Sequence, residues 1–172
     1  RFGNDKTVII YWEGLHIKKI KSILKSAINE VVNEIRLIQQ TNGVRLTNII
    51  VDEDGVGGGV VDYMRCRGFV NNSRAMKGEN YQNLKTQCYY KLADLINTAQ
   101  IGIDSTDINI KNNIIEELEQ VRTKDADKDN KLQIIPKDSI KDIIGRSPDY
   151  ADALAMRMYF EIDGNYGKYF VQ

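Results

Sequence analysis

The chain has 172 residues, of which 42% are hydrophobic and 28% charged, values typical of one soluble globular domain with a substantial core. Lysine plus arginine equals aspartate plus glutamate at 24 each, so the net charge is zero, which argues against wholesale coating of nucleic acid but not against a local basic patch. The single histidine, His16, excludes histidine-rich metal sites, and no apolar run approaches the ~18 residues of a membrane span.

Strands are predicted where β-branched and aromatic residues cluster between turn signals. The first, "KTVIIYW", precedes a turn at "EGL" and a second strand, so the two are expected to form an antiparallel hairpin. The predicted strands cover residues 6–12, 15–20, 46–52, 69–72 and 131–136.

Helices are predicted where apolar residues recur at spacings of three and four. The last helix has Pro148 just inside its start and Ser147 as a candidate N-cap. The predicted helices cover 22–40, 58–68, 79–99, 107–124, 137–145 and 147–162, and residues 163–172 are expected to be a loosely packed tail. Strands that alternate with helices predict a single α/β domain with a mixed, partly parallel central sheet flanked by helices.

The stretch "VDEDGVGGGVVDYM", residues 51–64, lies between a predicted strand and a predicted helix, where a phosphate-binding loop could lie. The dinucleotide spacing G-x-G-x-x-G is not met, because its third position is Val60, and no Walker motif follows. A nucleotide-binding α/β domain is therefore disfavoured. Gly55, Gly57 and Gly58 instead permit a tight bend and close approach of a phosphate.

Two acidic clusters are candidates for a metal site. Asp52 ends an apolar strand, the edge at which ligands bind in open α/β sheets, and carboxylates suit Mg²⁺ or Mn²⁺. Asp54 shares its side by alternation and either joins the metal or only caps the turn. Asp149 and Asp152 share one face of the last helix at its first turn. The alternative for this pair is simple complementation of the helix dipole.

Basic residues could contact a DNA backbone or could simply be solvated. The candidates are Lys18, Lys19, Arg65, Arg74 and Lys77.

Together, "VDEDGVGGGVVDYM", "GRSPDYADALAM" and the opening "RFGNDKTVIIYWEG" resemble the C-terminal nuclease domain of phage terminase large subunits. The segment "NYQNLKTQCYYKLADLI" is similar to the middle helix of that family, so the resemblance covers residues 1 to about 160. The resemblance implies an RNase H-like fold and a metal-dependent endonuclease that cuts concatemeric double-stranded viral DNA with two Mg²⁺ or Mn²⁺ ions.

The resemblance also implies roles for particular acids. The second acid of the family's catalytic triad falls on Asp52, and the third on Asp149 or Asp152, with Asp149 favoured. Asp5 would support the site from the turn. The family's first acid precedes "RFG", so this chain is expected to lack it and to have an incomplete first strand.

The partners implied by the resemblance are DNA, an N-terminal ATPase domain of the same terminase, a small terminase subunit and a portal, in the cytoplasm of an infected bacterium and without a membrane. Two alternatives stay open. One is a non-catalytic module that docks on DNA or the portal, and the other is a different RNase H-like nuclease such as a resolvase.

Overall fold

The computed structural model describes residues 6–24, 26–54, 57–104, 107–124, 131–164 and 168–171, the last four by their backbone alone. In this part of the chain the strands are β1 (Lys6–Glu13), β2 (His16–Leu24), β3 (Ile49–Asp52), β4 (Arg67–Phe69), β5 (Gly102–Ile103), β6 (Thr123–Lys124), β7 (Gln133–Ile134) and β8 (Lys168–Val171). The α-helices are α1 (Ile28–Asn42), α2 (Gly57–Met64), α3 (Leu84–Asn97), α4 (Ile108–Glu119), α5 (Lys137–Ile144) and α6 (Asp149–Asp163).

A six-stranded sheet forms the centre of the fold, in the order β4-β3-β8-β1-β2-β5. β1 is antiparallel to β2 and β8, whereas β3 is parallel to β4 and β8, and β2 is parallel to β5. The predicted mixed sheet and the predicted hairpin are therefore confirmed. β6 and β7 pair with each other as a separate ribbon.

The sheet is covered by helices on both faces because β1 is apolar at successive positions. Ile9 and Tyr11 pack in a core with α1 and α2. Val8, Ile10 and Trp12 point the other way, into a larger core with α3, α4 and α6. This alternation follows from the two-residue repeat of a strand. The predicted arrangement of helices around a central sheet is confirmed.

The first helix begins later than its periodicity indicates. Residues 22–24 continue β2, where Ser22 pairs with Val8 and Leu24 with Lys6, so the prediction of helix there is wrong. The pairing with β1 supplies long-range hydrogen bonds that the local pattern does not contain. The predicted stop is confirmed, because Gly43 has the left-handed φ of 64° that ends many helices.

The segment after the glycines divides into a helix and a strand rather than one helix over 58–68. α2 ends at Met64, and Arg65 follows with a φ of 54°. The chain then enters β4, which pairs with β3, so the strand predicted over 69–72 is shifted toward 67–69. Parallel pairing with a buried neighbour decides this boundary, and the helical spacing does not.

Two further helices are shorter than predicted. α3 begins at Leu84 because the side chain of Asn83 accepts a hydrogen bond from Thr86 N, so residues 79–83 are not helical. α4 ends before 123, where Thr123 and Lys124 pair with β7. The strand β5, which pairs with the start of β2, was not predicted.

The C-terminal region contains two corrections. Residues 168–171 form β8 between β1 and β3, so the prediction of a loose tail is wrong for these four. Ser147 is not the N-cap of α6, because Pro148 occupies that position and gives no side-chain cap. Over the described ranges, none of the helices has the length and apolar character needed to cross a membrane.

Candidate acidic site

Asp52 lies where β3 emerges from the core. Ile49, Ile50 and Val51 are fully buried, and Asp52 is the first residue of the strand to be partly exposed. Its Oδ1 atom accepts hydrogen bonds from Asp54 N and from Asn71 Nδ2, each at 3.1 Å. Burial raises the pKa of Asp52, and the nearby carboxylates of Asp54 and Asp152 add to this increase. Asp52 is therefore a carboxylate whose negative charge is poorly compensated.

The glycines after β3 allow the chain to turn closely into α2. A Cβ atom on Gly57 would lie 1.7 Å from the backbone oxygen of Asp52, so no larger residue fits where α2 begins against the end of β3. At Gly58 the nearest atom is the backbone oxygen of Glu53 at 3.3 Å, which is a milder constraint. Gly55 lies outside the described residues.

Asp54 connects the ends of β3 and β4. Its Oδ2 atom accepts hydrogen bonds from Asn71 N at 3.0 Å and from Asn71 Nδ2 at 2.7 Å. The backbone oxygen of Asn71 accepts from Lys85 N at 3.2 Å, so this asparagine also fixes the start of α3. Asp54 thus has a structural partner that the sequence did not reveal.

Asp149 and Asp152 lie on the first turn of α6, and their environments differ. Asp152 accepts hydrogen bonds from Tyr89 Oη at 2.6 Å, Lys85 Nζ at 2.7 Å and Lys137 Nζ at 2.9 Å. Burial would raise the pKa of Asp152, but Lys85 and Lys137 together hold it below its ordinary value. Asp149 Oδ2 accepts from the backbone nitrogen of Lys6 at 2.8 Å.

Lys137, the first residue of α5, brings the two acidic clusters together. Its Nζ atom lies 2.9 Å from Asp152 Oδ2 and 3.9 Å from Asp149 Oδ1. Burial lowers the pKa of Lys137, but Asp152, Asp149 and Asp52 outweigh this and raise it. Asp149 and Asp152 therefore lie beside one ammonium group, and Asp52 is near enough to interact with it electrostatically.

Tyr89, Lys85 and Lys137 are residues of this site that the sequence analysis missed. Lys85 and Tyr89 are four positions apart on α3, so they share the helix face that also carries the buried Leu92. A polar pair on a core-facing stripe was a usable signal. Lys137 had no comparable signal, because only the packing of α5 brings it to Asp152.

All five basic residues considered for DNA contact are exposed, and their role in DNA binding stays a prediction. Lys18 and Lys19 are exposed on β2, which β1 and β8 separate from β3, and Lys18 is paired with Asp104 at 2.7 Å. Arg65 and Arg74 are exposed in loops. Lys77 lines a cavity of about 430 Å³ that none of the three acids lines. The basic side chains that contact the acids are those of Lys85 and Lys137, whereas Lys6 contributes its backbone nitrogen to Asp149.

The donor chemistry of the site fits a divalent ion, because Mg²⁺ and Mn²⁺ prefer carboxylate oxygens. Within the described ranges, no three acids are gathered closely enough to form a complete ligand set. Asp5 lies outside those ranges. An ion held here would have few protein ligands and would be completed by water or substrate oxygens, as is usual for Mg²⁺.

The central mixed sheet with helices on both faces has the architecture of an RNase H-like fold. The nuclease domain of the large terminase subunit gp2 of bacterial virus Sf6 matches with a TM-score of 0.77 and 22% identity, over 91% of this chain and 83% of that one. The same Sf6 domain has been solved as a mutant with manganese and β-thujaplicinol, with the same values. The large terminase nuclease of thermophilic phage G20c matches with a TM-score of 0.58 and 15% identity, over 92% and 77% of the two chains.

The chain therefore has the fold of phage terminase nuclease domains. No protein-family model and no curated protein sequence matches it.

Proposed function

We propose that this domain is a metal-dependent endonuclease that hydrolyses phosphodiester bonds of double-stranded DNA during viral genome packaging. The main support is the fold shared with terminase nuclease domains, in which Asp149 and Asp152 lie beside Lys137 and Asp52 interacts electrostatically with Asp152 and Lys137. The carboxylates suit divalent ions, which in turn suit the negatively charged phosphate oxygens of a DNA backbone.

The acids divide into two roles in this proposal. Asp52 and Asp149 would hold two divalent ions, either Mg²⁺ or Mn²⁺. Both oxygens of Asp152 already accept hydrogen bonds from Tyr89, Lys85 and Lys137, so Asp152 fixes these groups rather than offering a vacant ligand. Asp54, bound to Asn71, keeps the loop after β3 in place and does not coordinate.

In this proposal the ions stabilise charge, and residues of the chain hold the acids in position. When bound, the divalent ions stabilise the negative charge that develops on the phosphate and its leaving oxygen. Lys137 lies beside Asp152 and Asp149 and offsets part of the repulsion between their carboxylates. Lys85 holds Asp152 from α3, and the backbone nitrogen of Lys6 holds Asp149 from β1.

The wider setting is also part of the proposal. The domain would act beside an ATPase domain of the same terminase, with a small terminase subunit and a portal, in the cytoplasm of an infected bacterium. The similarity to the large terminase nucleases of Sf6 and G20c supports this setting.

The test is cleavage of supercoiled plasmid DNA by this chain, and by a version extended at its N-terminus, in Mn²⁺, Mg²⁺ or a chelator. Nicking is expected only with the metals. Asp52→Ala should lower the rate by more than the ~10–100-fold loss typical of residues that act through a ligand. The control is Asp62→Ala, which removes an exposed carboxylate from α2 and should cut normally.

Unchanged cutting by Asp52→Ala would refute the assignment of the site. DNA binding without cutting in either version would instead favour a non-catalytic docking module. Cutting restricted to branched DNA junctions would favour a resolvase.

A further inference from the structure

Helix α6, which carries Asp149 and Asp152, begins without a cap of its own. Its N-cap residue is Pro148, which makes no side-chain cap hydrogen bond. The first backbone N–H groups of a helix have no partner within the helix, and a capping side chain normally accepts from the second or third of them. In α6 the third is Ala151 N.

A carboxylate from another helix serves this N–H group. Glu117 belongs to α4 and its side chain is completely buried. Its Oε2 atom accepts the hydrogen bond from Ala151 N at 2.8 Å. Ala151 lies between Asp149 and Asp152, so the contact fixes the turn that carries both acids.

Arg146 holds Glu117 in this position. It lies in the short connection between α5 and α6, and its Nη1 atom donates to Glu117 Oε1. Its Nη2 atom donates to Glu116 Oε2 at 2.6 Å and to Asn113 Oδ1 at 3.0 Å. Three side chains of α4 thus hold the residue that joins the two helices.

Burying a carboxylate is costly even when it is paired, and an apolar pair in its place is often as stable. Stability alone therefore does not explain Glu117. Burial is the main reason that its pKa is raised, and the Ala151 N–H group and Arg146 oppose this. The charge of Glu117 is also repelled by the nearby charge of Asp149, which again disfavours a carboxylate at this position.

We propose that Glu117, held by Arg146, is a positioning residue that fixes Asp149 and Asp152 relative to Lys137 by capping α6 from outside the helix. α5 carries Lys137 and α6 carries the acids, and Arg146 is in the turn between them. The role rests on the proposed function, because positioning matters only if the acids hold metal.

The test compares Glu117→Gln, Glu117→Ala and the control Glu119→Ala in three measurements. These are hydrogen exchange at Ala151, Mn²⁺ binding by calorimetry without DNA, and plasmid cleavage against Mn²⁺ concentration. Glu117→Gln keeps an oxygen for Ala151 N and should stay close to wild type. Glu117→Ala should speed exchange at Ala151 about 10- to 100-fold and weaken Mn²⁺ binding by a similar factor. Glu119→Ala, which removes an exposed carboxylate from the same helix, should change neither.

The double variant Glu117→Met with Arg146→Met guards against a failure to fold, because it removes the cap without leaving a buried charge. It should fold, yet show the fast exchange and weak Mn²⁺ binding of Glu117→Ala. Wild-type Mn²⁺ binding in folded Glu117→Ala or in the double variant would overturn the positioning role alone. A wild-type chain, and an extended version, that neither bind Mn²⁺ nor cut DNA would overturn the proposed function and this role with it.

Discussion

Replacing Asp152 with asparagine removes the charge that joins three helices, while the shape of the side chain is kept. Lys85 and Tyr89 approach it from α3 and Lys137 from α5, all within 2.9 Å. A hydrogen bond to a charged group contributes about 1.5–3 kcal/mol, and breaking a buried ion pair costs about 3–5 kcal/mol. Lys137 is 41% exposed, so its share is reduced toward the ~0–1 kcal/mol of surface pairs.

Since asparagine keeps one acceptor oxygen, we expect Asp152→Asn to lower the free energy of unfolding by about 2–4 kcal/mol. For a domain of this size that corresponds to a fall in Tm of roughly 4–16 °C. Urea unfolding and thermal melting measure both quantities. The matched control is Asp142→Asn, an exposed residue on α5, which should change stability by less than about 0.5 kcal/mol. Equal stability of the two variants would refute the argument.

The pH dependence of this difference has a definite sign. Because the pKa of Asp152 is lower in the folded chain than in the unfolded chain, its stabilising contribution is fully present above the ordinary aspartate pKa of 3.8. The contribution is lost as the pH falls through the lowered, folded-state pKa. Wild type and Asp152→Asn should therefore converge in stability below about pH 4, provided that both stay folded there. A difference that grows on acidification would contradict the cause assigned to the shift.

Three further predictions concern the loop after β3. Asp52→Asn should abolish cleavage but leave Tm equal to or above that of wild type, because burial already disfavours the ionised carboxylate; a clear fall in Tm would contradict this. Asn71→Ala, which loses hydrogen bonds to Asp52 and Asp54, should cost about 1–3 kcal/mol in urea unfolding, whereas Asn72→Ala should cost less than about 1 kcal/mol. Gly57→Ala should prevent folding or lower Tm severely, because its Cβ atom would overlap the backbone of Asp52, and Gly58→Ala should be milder; circular dichroism distinguishes the two.

The sequence supported the features that depend on neighbours a few residues apart. The apolar run of β1, the end of β3 at Asp52 and the two acids opening α6 were each visible in a short window. The fold class could then be predicted from the order of these elements, and the resemblance to terminase nucleases added the expected pairing of the acidic clusters.

The features that were missed depend on contacts between distant parts of the chain. Residues 22–24 have helical spacing but lie opposite β1, and two-residue strands such as β6 exist only through their partner. Tyr89 reaches Asp152 from 63 positions away. The sequence around Glu117 does not indicate that this residue caps another helix.

The strands β1 and β3 contribute side chains to both hydrophobic cores. Ile50 packs with the α6 side of the sheet, while Ile49 and Val51 pack with α1 and α2. If one core comes apart, the strands that it shares with the other core lose their support on that face. The two cores should therefore unfold together as one cooperative unit. A ligand that binds Asp52 at the end of β3 would then stabilise the whole domain. Protection of backbone amides from hydrogen exchange should rise on both faces of the sheet together.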